Sequence, residues 1–349
     1  MTATKMLDVP RIHFKVGESA FSPIVSLVTA LRAMGEKITY RYVMGVSGAA
    51  FRLYWMPGFD PSSASVTSEP VALLGARALG YAFQEYANPS EAEAWRLITQ
   101  SLEEGRPVPA CGVVPPPEWQ VICGYTGRPR KLFVESYFDP SPTAPSEVAF
   151  KKWLGWGRYG MVSMPFALLK KRGPTPHHHA VAFESLARAV LLAGEFEYWS
   201  GSGPEGKTHG DLWHSGLAAY DAWAEDLKRA AKPKEVTKQL FVNDLTAYTL
   251  EDARVCAATF MDSLAGEFPS ARHYFEVAKA AYHEEAETLA AARKIVAYPW
   301  ERHPKVRAED VVAFSDPNVR TQWVEALQKA KALDQSAVDQ LGTAVNALR

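Results

Sequence analysis

The sequence predicts an α+β protein, with strands confined to the first half and helices dominating the second. Three observations carry that expectation. Up to about residue 175, short apolar runs alternate with Gly- and Pro-rich turns, and beyond Lys170-Lys-Arg-Gly-Pro-Thr-Pro176 the strand signals nearly vanish. Helical patterns precede the strands within the first half, which is an α+β order and not a βαβ alternation. A chain of 349 residues, 47% of them hydrophobic, is long enough for two domains and can bury a sizeable core. We therefore expect a mixed domain over residues 1–172, an all-helical domain over 173–349 that contributes no sheet strand from beyond residue 200, and a boundary near 165–180.

The first clear element is Ser22-Pro-Ile-Val-Ser-Leu-Val-Thr-Ala-Leu-Arg-Ala-Met-Gly35. Ser22 suits a helix N-cap, Pro23 suits the first helical position, and Gly35 suits the stop. Ile24, Leu27, Val28 and Leu31 recur at helical spacing. Ser90-Glu-Ala-Glu93 forms a capping box for a helix that ends at Gly105. Strands are expected over Arg106–Val114, Trp119–Tyr125 and Leu132–Phe138, with Thr126-Gly-Arg-Pro129 as a hairpin turn and Tyr159–Pro165 as a fourth strand. In the second half, helices are expected at about His178–Ala193, Asp211–Ala231, Leu250–Gly266, Ser270–Val296, Asn318–Leu333 and Gln335–Leu348, with Thr249 and Ser270 as N-caps. No fixed-period repeat is present, so a solenoid is not expected.

Composition excludes several classes. A net charge of −1 argues against a nucleic-acid partner. No apolar run reaches the ~18–20 residues that span a bilayer, and the first ten residues lack a signal-peptide apolar region, so a cytoplasmic location is expected. Cys111, Cys123 and Cys256 are too few and too scattered for a disulfide framework. Cys111 and Cys123 fall in predicted strands, away from the helix N-terminus that would activate a thiol, so neither is expected to be catalytic. His177-His-His179 has neighbours that diverge on any regular element, and no Cys-x-x-Cys or His-Glu-x-x-His spacing accompanies it; no metal site is expected. Gly201-Ser-Gly-Pro-Glu-Gly206 lacks the Lys-Ser/Thr of a phosphate loop, and no cofactor is expected.

Three stretches carry a resemblance. They are the Ser22–Gly35 helix, the Met-Gly-x-Ser-Gly-x-Ala-Phe-Arg pattern within Tyr42–Arg52, and Pro116-Pro-Glu-Trp-Gln-Val-Ile-Cys-Gly-Tyr125. Together they make the first ~170 residues similar to the N-terminal domain of the butirosin-biosynthesis protein H family, a relative of the bacteriocin-processing cysteine peptidases and of papain. The resemblance implies a papain-like fold, with a helix followed by an antiparallel sheet. It also implies where a catalytic set would stand. The cysteine position falls on Ser22, the histidine position on Glu118 and the orienting Asp or Asn position on Asp139 of Phe138-Asp-Pro140. The nucleophile and the base of the family are thus both replaced. A serine hydroxyl without a histidine is a poor nucleophile near neutral pH, and a glutamate is a weak base unless its pKa is raised.

The expectation that follows is a degenerate papain-like domain that binds a small amide, peptide or acyl compound with little or no catalysis. The alternative is an acyltransferase or amide hydrolase acting through Ser22, so whether the chain is an enzyme stays open at this stage. Glu18, Ser47, Arg52 and Trp119 are the candidate ligand-binding residues; an arginine beside a cleft suits a carboxylate or phosphate. The expected partner is a small-molecule, peptide or acyl-carrier-linked ligand, with homo-oligomer formation left open. Ser22, Glu118 and Asp139 are expected to converge on one cleft.

Overall fold

A computed structural model describes residues 4–64, 70–86, 89–116, 118–139, 143–154, 165–194, 198–199, 212–229, 233–299 and 305–348. Among these, seven strands form one antiparallel sheet: β1 (Thr4–Met6), β3 (Tyr81–Tyr86), β4 (Val108–Cys111), β5 (Trp119–Gly127), β6 (Arg130–Glu135), β7 (Ser146–Ala149) and β8 (Phe166–Lys171). The order is β3-β8-β4-β5-β6-β7, and β1 pairs with the distal half of β5, Thr4 opposite Thr126. Gly124 makes that last pairing feasible, because a Cβ there would lie 2.5 Å from the Lys5 carbonyl oxygen. The β5–β6 hairpin closes at Gly127 opposite Arg130, where the turn was expected.

The sheet is covered on both faces. Alternate residues of β5 diverge, so Val121 joins the core beneath α1 (Ser22–Ala33), α2 (Tyr40–Ser47) and α3 (Val71–Ala78). Ile122 points the other way, into a core with Ala94, Ile98 and Leu102 of α4 (Glu91–Glu103) and Phe150 and Trp153 of α5 (Phe150–Leu154). The α4 capping residue is as read: the Glu93 N–H donates to Ser90 Oγ at 3.2 Å.

The second half supplies α6 (His178–Ala193), α7 (Gly216–Lys228), α8 (Pro233–Glu267), α9 (Arg272–Ala292), α10 (Ala308–Ser315) and α11 (Pro317–Ala347). It is a helical region, but not an all-helical one. Beyond residue 172, β9 (Tyr198–Trp199) and β10 (Leu212–Ser215) form a small sheet with β2 (Tyr54–Trp55) of the first half. The cause is local packing: Trp55 stacks on Trp223 of α7 at 4.9 Å, and its indole N–H donates to Asp226 at 2.8 Å. The packing also crosses residue 172 in the main core, which joins α1–α3 to α6, α8, α9 and α11. At the crossing of α2 and α8, Gly45 faces the Phe260 ring so closely that a Cβ would lie 2.3 Å from Cγ.

Four expected helix ends are corrected. The helix expected from Asp211 begins at Gly216, because Leu212–Ser215 pairs as β10. Thr249 lies inside α8, where its hydroxyl donates back to the Leu245 and Thr246 carbonyls at 3.1 and 3.0 Å. Ser270 sits in a 3-10 turn ahead of α9. Asp334, which separated two expected helices, is buried within the continuous α11 and accepts a hydrogen bond from Arg254 at 2.6 Å. The expected strand over Tyr159–Pro165 lies almost wholly outside the described residues, and β8 follows it at Phe166. No described helix is long and apolar enough to cross a membrane.

Candidate functional site

Ser22 opens α1 with Pro23 behind it, but its side chain does not cap the helix. The hydroxyl reaches across to β5 instead. Ser22 Oγ donates to Glu118 Oε2 and accepts the Trp119 N–H at 3.2 Å. Ser22 is only 4% exposed, so both of its hydrogen-bonding roles are met inside the protein.

Glu118 is placed by the loop that joins β4 to β5. Its carbonyl accepts the Gly112 N–H at 2.9 Å, and its own N–H donates to the Pro116 carbonyl at 2.8 Å. The fully buried Gln120 side chain clamps the same loop, donating to the Val114 carbonyl and accepting the Val114 N–H at 2.8 Å. Burial pushes the Glu118 carboxyl above its usual range, while the Ser22 hydroxyl and the Arg52 charge pull it back down. The net direction is up, which is the direction a general base requires.

The third predicted residue does not join this pair. The Asp139 carboxylate accepts the Ser136 N–H at 3.1 Å and the Ser146 hydroxyl at 2.6 Å, and pairs with Arg11 at 3.2 Å. No hydrogen bond links it to Glu118 or Ser22 among the described residues. Ser22 and Glu118 are thus joined by a hydrogen bond, whereas Asp139 is held by Arg11, which also pairs with Glu135.

The four ligand-binding candidates divide. Glu18 is exposed, pairs with Lys15 at 2.6 Å and lines a cavity. Ser47 is fully buried, donating to the Met44 carbonyl and accepting the Ala49 N–H, so it serves the turn after α2 and reaches no ligand space. Arg52 is buried with its guanidinium 3.8 Å above the Phe21 ring and one Nη on the Ala64 carbonyl at 2.7 Å. Burial lowers its pKa to about 10, which still leaves it cationic at neutral pH. Trp119 offers Ser22 its backbone, and its half-buried ring packs 6.1 Å from Phe83.

Sequence reasoning missed the support behind α1. Asp252 of α8 accepts the Gly17 N–H at 2.6 Å and the Tyr40 hydroxyl at 2.7 Å, and Tyr40 in turn accepts the Phe21 N–H at 2.9 Å. A carboxylate from the helical half thus anchors the residue that precedes Ser22. Burial raises the Asp252 pKa to about 7. Nothing local marks Asp252, since it lies 212 residues from Tyr40.

All three cysteines are buried, and none is in a disulfide. Burial pushes the Cys111 and Cys123 thiols up to about 12, far from a thiolate at neutral pH. His178 pairs with Glu267 at 2.9 Å and His179 packs 4.6 Å from Phe268, so these two dock α6 on α8 and its end. The described residues contain no group of three or more metal-ligating side chains. Gly201–Gly206 lies outside them. A cavity of about 630 Å³ runs along α1 from Val25 to Arg32, walled also by α2, α8 and the segment from Pro10 to Ser19, and neither Ser22 nor Glu118 lines it. No protein-family model matches the chain, and no curated protein matches it either.

Proposed function

We propose that this chain is a papain-like domain of the butirosin protein H kind whose catalytic set has become a structural lock, leaving a domain that binds a small amide, peptide or acyl compound. The observation that carries this reading is the state of Ser22 Oγ, which is buried, donating to Glu118 and accepting from Trp119. An attacking hydroxyl needs a free lone pair directed at the reacting carbon and a base held in line by a third group. Here one lone pair is engaged by a backbone N–H, and Asp139, the residue placed to orient the base, is held elsewhere by Arg11.

The Ser22–Glu118 contact also supports a second reading. In an acyl-transfer step Ser22 Oγ would attack an acyl carbonyl carbon, its proton passing to Glu118. Collapse of the adduct would break the bond to the leaving thiol or amine, which takes that proton. Because Glu118 is pushed up from its usual range, it has part of the basicity the step requires.

The test follows amide and thioester cleavage by the wild type, Ser22→Ala, Ser22→Cys, Glu118→His and the Ser22→Cys/Glu118→His double variant. The binding reading expects negligible turnover in the wild type, and more from the double variant than from either single change, because nucleophile and base act as a unit. Efficient wild-type turnover abolished by Ser22→Ala replaces it with the serine-enzyme reading.

A further inference from the structure

The cavity beside α1 carries three guanidiniums on its wall, and their partners differ. Arg11 is neutralised by Glu135 and Asp139. Arg32 and Arg41 form no salt bridge among the described residues, although the Arg41 charge lies near enough to help lower the Glu18 carboxyl, which Lys15 already engages. Each is held instead through Nε on a backbone carbonyl, Arg32 on Ile38 at 3.0 Å and Arg41 on Gly17 at 2.7 Å. Arg41 makes one further contact, a long 3.4 Å approach of Nη1 to Thr259 Oγ1. The Nε bonds fix the two side chains and leave Nη donors for a ligand, the fork that matches a carboxylate or phosphate. Fixing them beforehand reduces the rotamer freedom lost on binding. Glu18 is the one carboxylate on the described wall, and Lys15 engages it at 2.6 Å.

The remainder of the wall is not that of a bare anion site. Val25, Val28 and Phe260 reach the wall from the main core, only 4%, 3% and 2% exposed, so each offers a narrow apolar strip, and about 630 Å³ falls within the ~300–1,000 Å³ of small-molecule pockets. We infer that this cavity binds a small amphipathic organic oxyanion, with its charged head on the Arg32 and Arg41 guanidiniums and its apolar body against Val25, Val28 and Phe260. This inference rests on the reading of the chain as a binding domain and adds the charge and the location of its ligand.

Calorimetric titration of the full chain near neutral pH tests it with 4-phenylbutyrate, the neutral isostere 4-phenylbutyramide, phenyl phosphate and inorganic phosphate. At least one organic anion should bind about tenfold or more tighter than the amide, since hydrogen bonds to charged groups are worth that factor. The tighter of the two organic anions identifies the head group as carboxylate or phosphate. Arg32→Gln and Arg41→Gln should each weaken it about tenfold, and Arg41→Lys should recover part of the loss by keeping the charge. Near-UV circular dichroism of each variant checks that the fold persists, and Arg32 is exposed enough for its replacement to leave packing intact. The inference is overturned if the amide binds as tightly as both acids, if Arg32→Gln leaves anion affinity unchanged in a folded protein, or if no organic anion binds at millimolar concentration. Inorganic phosphate binding as tightly as phenyl phosphate overturns the apolar-body assignment. Equal binding of amide and acid removes the charge assignment alone and leaves the binding reading standing.

Discussion

Asp252 offers the sharpest test of how the helical half supports the start of α1. Its carboxyl is completely buried and receives two donors, the Gly17 N–H and the Tyr40 hydroxyl, yet burial still raises its pKa from 3.8 to about 7. A group whose folded pKa is raised binds its proton more tightly in the native state. Its stabilising contribution is therefore complete below the unfolded value, near pH 4, and is lost as pH rises through about 7. A rise of that size, at about 1.4 kcal/mol per pH unit, corresponds to about 4 kcal/mol in all. Asp252→Asn removes the titration but not the shape. Its one carbonyl oxygen can accept from Gly17 or from Tyr40, not both, so about 1–3 kcal/mol is lost at low pH. Urea unfolding from pH 4 to 9, followed by tryptophan fluorescence, gives the difference between wild type and variant, in which other titrations cancel. That difference should favour the wild type below about pH 5 and shrink or reverse above about pH 8. Parallel profiles for the two proteins over the whole range would refute the argument.

Two further outcomes concern the joint between the halves. Arg254 is fully buried and donates to both Glu285 oxygens at 2.9 Å, to Asp334 at 2.6 Å and to the Ala50 carbonyl at 2.9 Å. Arg254→Met leaves Glu285 and Asp334 buried without their counter-charge, so stability should fall by about 3–5 kcal/mol, with a smaller loss in acid because burial already pushes the Glu285 carboxyl up and favours its neutral form; the urea midpoint at two pH values measures both. At Gly45, an added methyl collides with the Phe260 ring, and Gly45→Ala should cost about 1–3 kcal/mol in thermal or urea unfolding. Phe260→Leu in the same chain should recover part of it, whereas an additive loss would show that the helices do not meet there.

How much of this was legible depends on whether the signal was local. Ser90 and Gly105 framed α4, and α6 begins and ends at the residues its pattern gave, because capping and periodicity are properties of a few adjacent residues. The β5–β6 hairpin was legible for the same reason. Strands β3 and β8 were not, since each finds its partner some 85 residues away and alternation alone does not name a partner. Thr249 misled because a threonine that can cap a helix can equally well donate back within one. Asp334 misled because a charge that reads as a break is a counter-ion for Arg254, 80 residues earlier. At the site, Ser22 and Glu118 were paired through resemblance alone, and the structure brings them into contact. Asp252, Arg32 and Arg41 carried no motif. Asp252 meets Gly17 and Tyr40 only once α8 has packed across α2.

On the papain-like reading the position of Asp139 orients the base, a role that demands a carboxylate aimed at residue 118. Here the carboxylate instead accepts from Ser136 and Ser146 and pairs with Arg11, whose other face belongs to the cavity wall. Glu118 has no histidine-like partner to replace, and its hydrogen bond to Ser22 now joins α1 to β5 as a tie between elements. Arg11→Met removes the cation that pairs with both Glu135 and Asp139, so it should lower stability by leaving two carboxylates without their counter-charge, while the Ser136 N–H and Ser146 hydroxyl still hold Asp139; urea unfolding beside the wild type measures the loss, and an unchanged midpoint would show that the pairs contribute nothing.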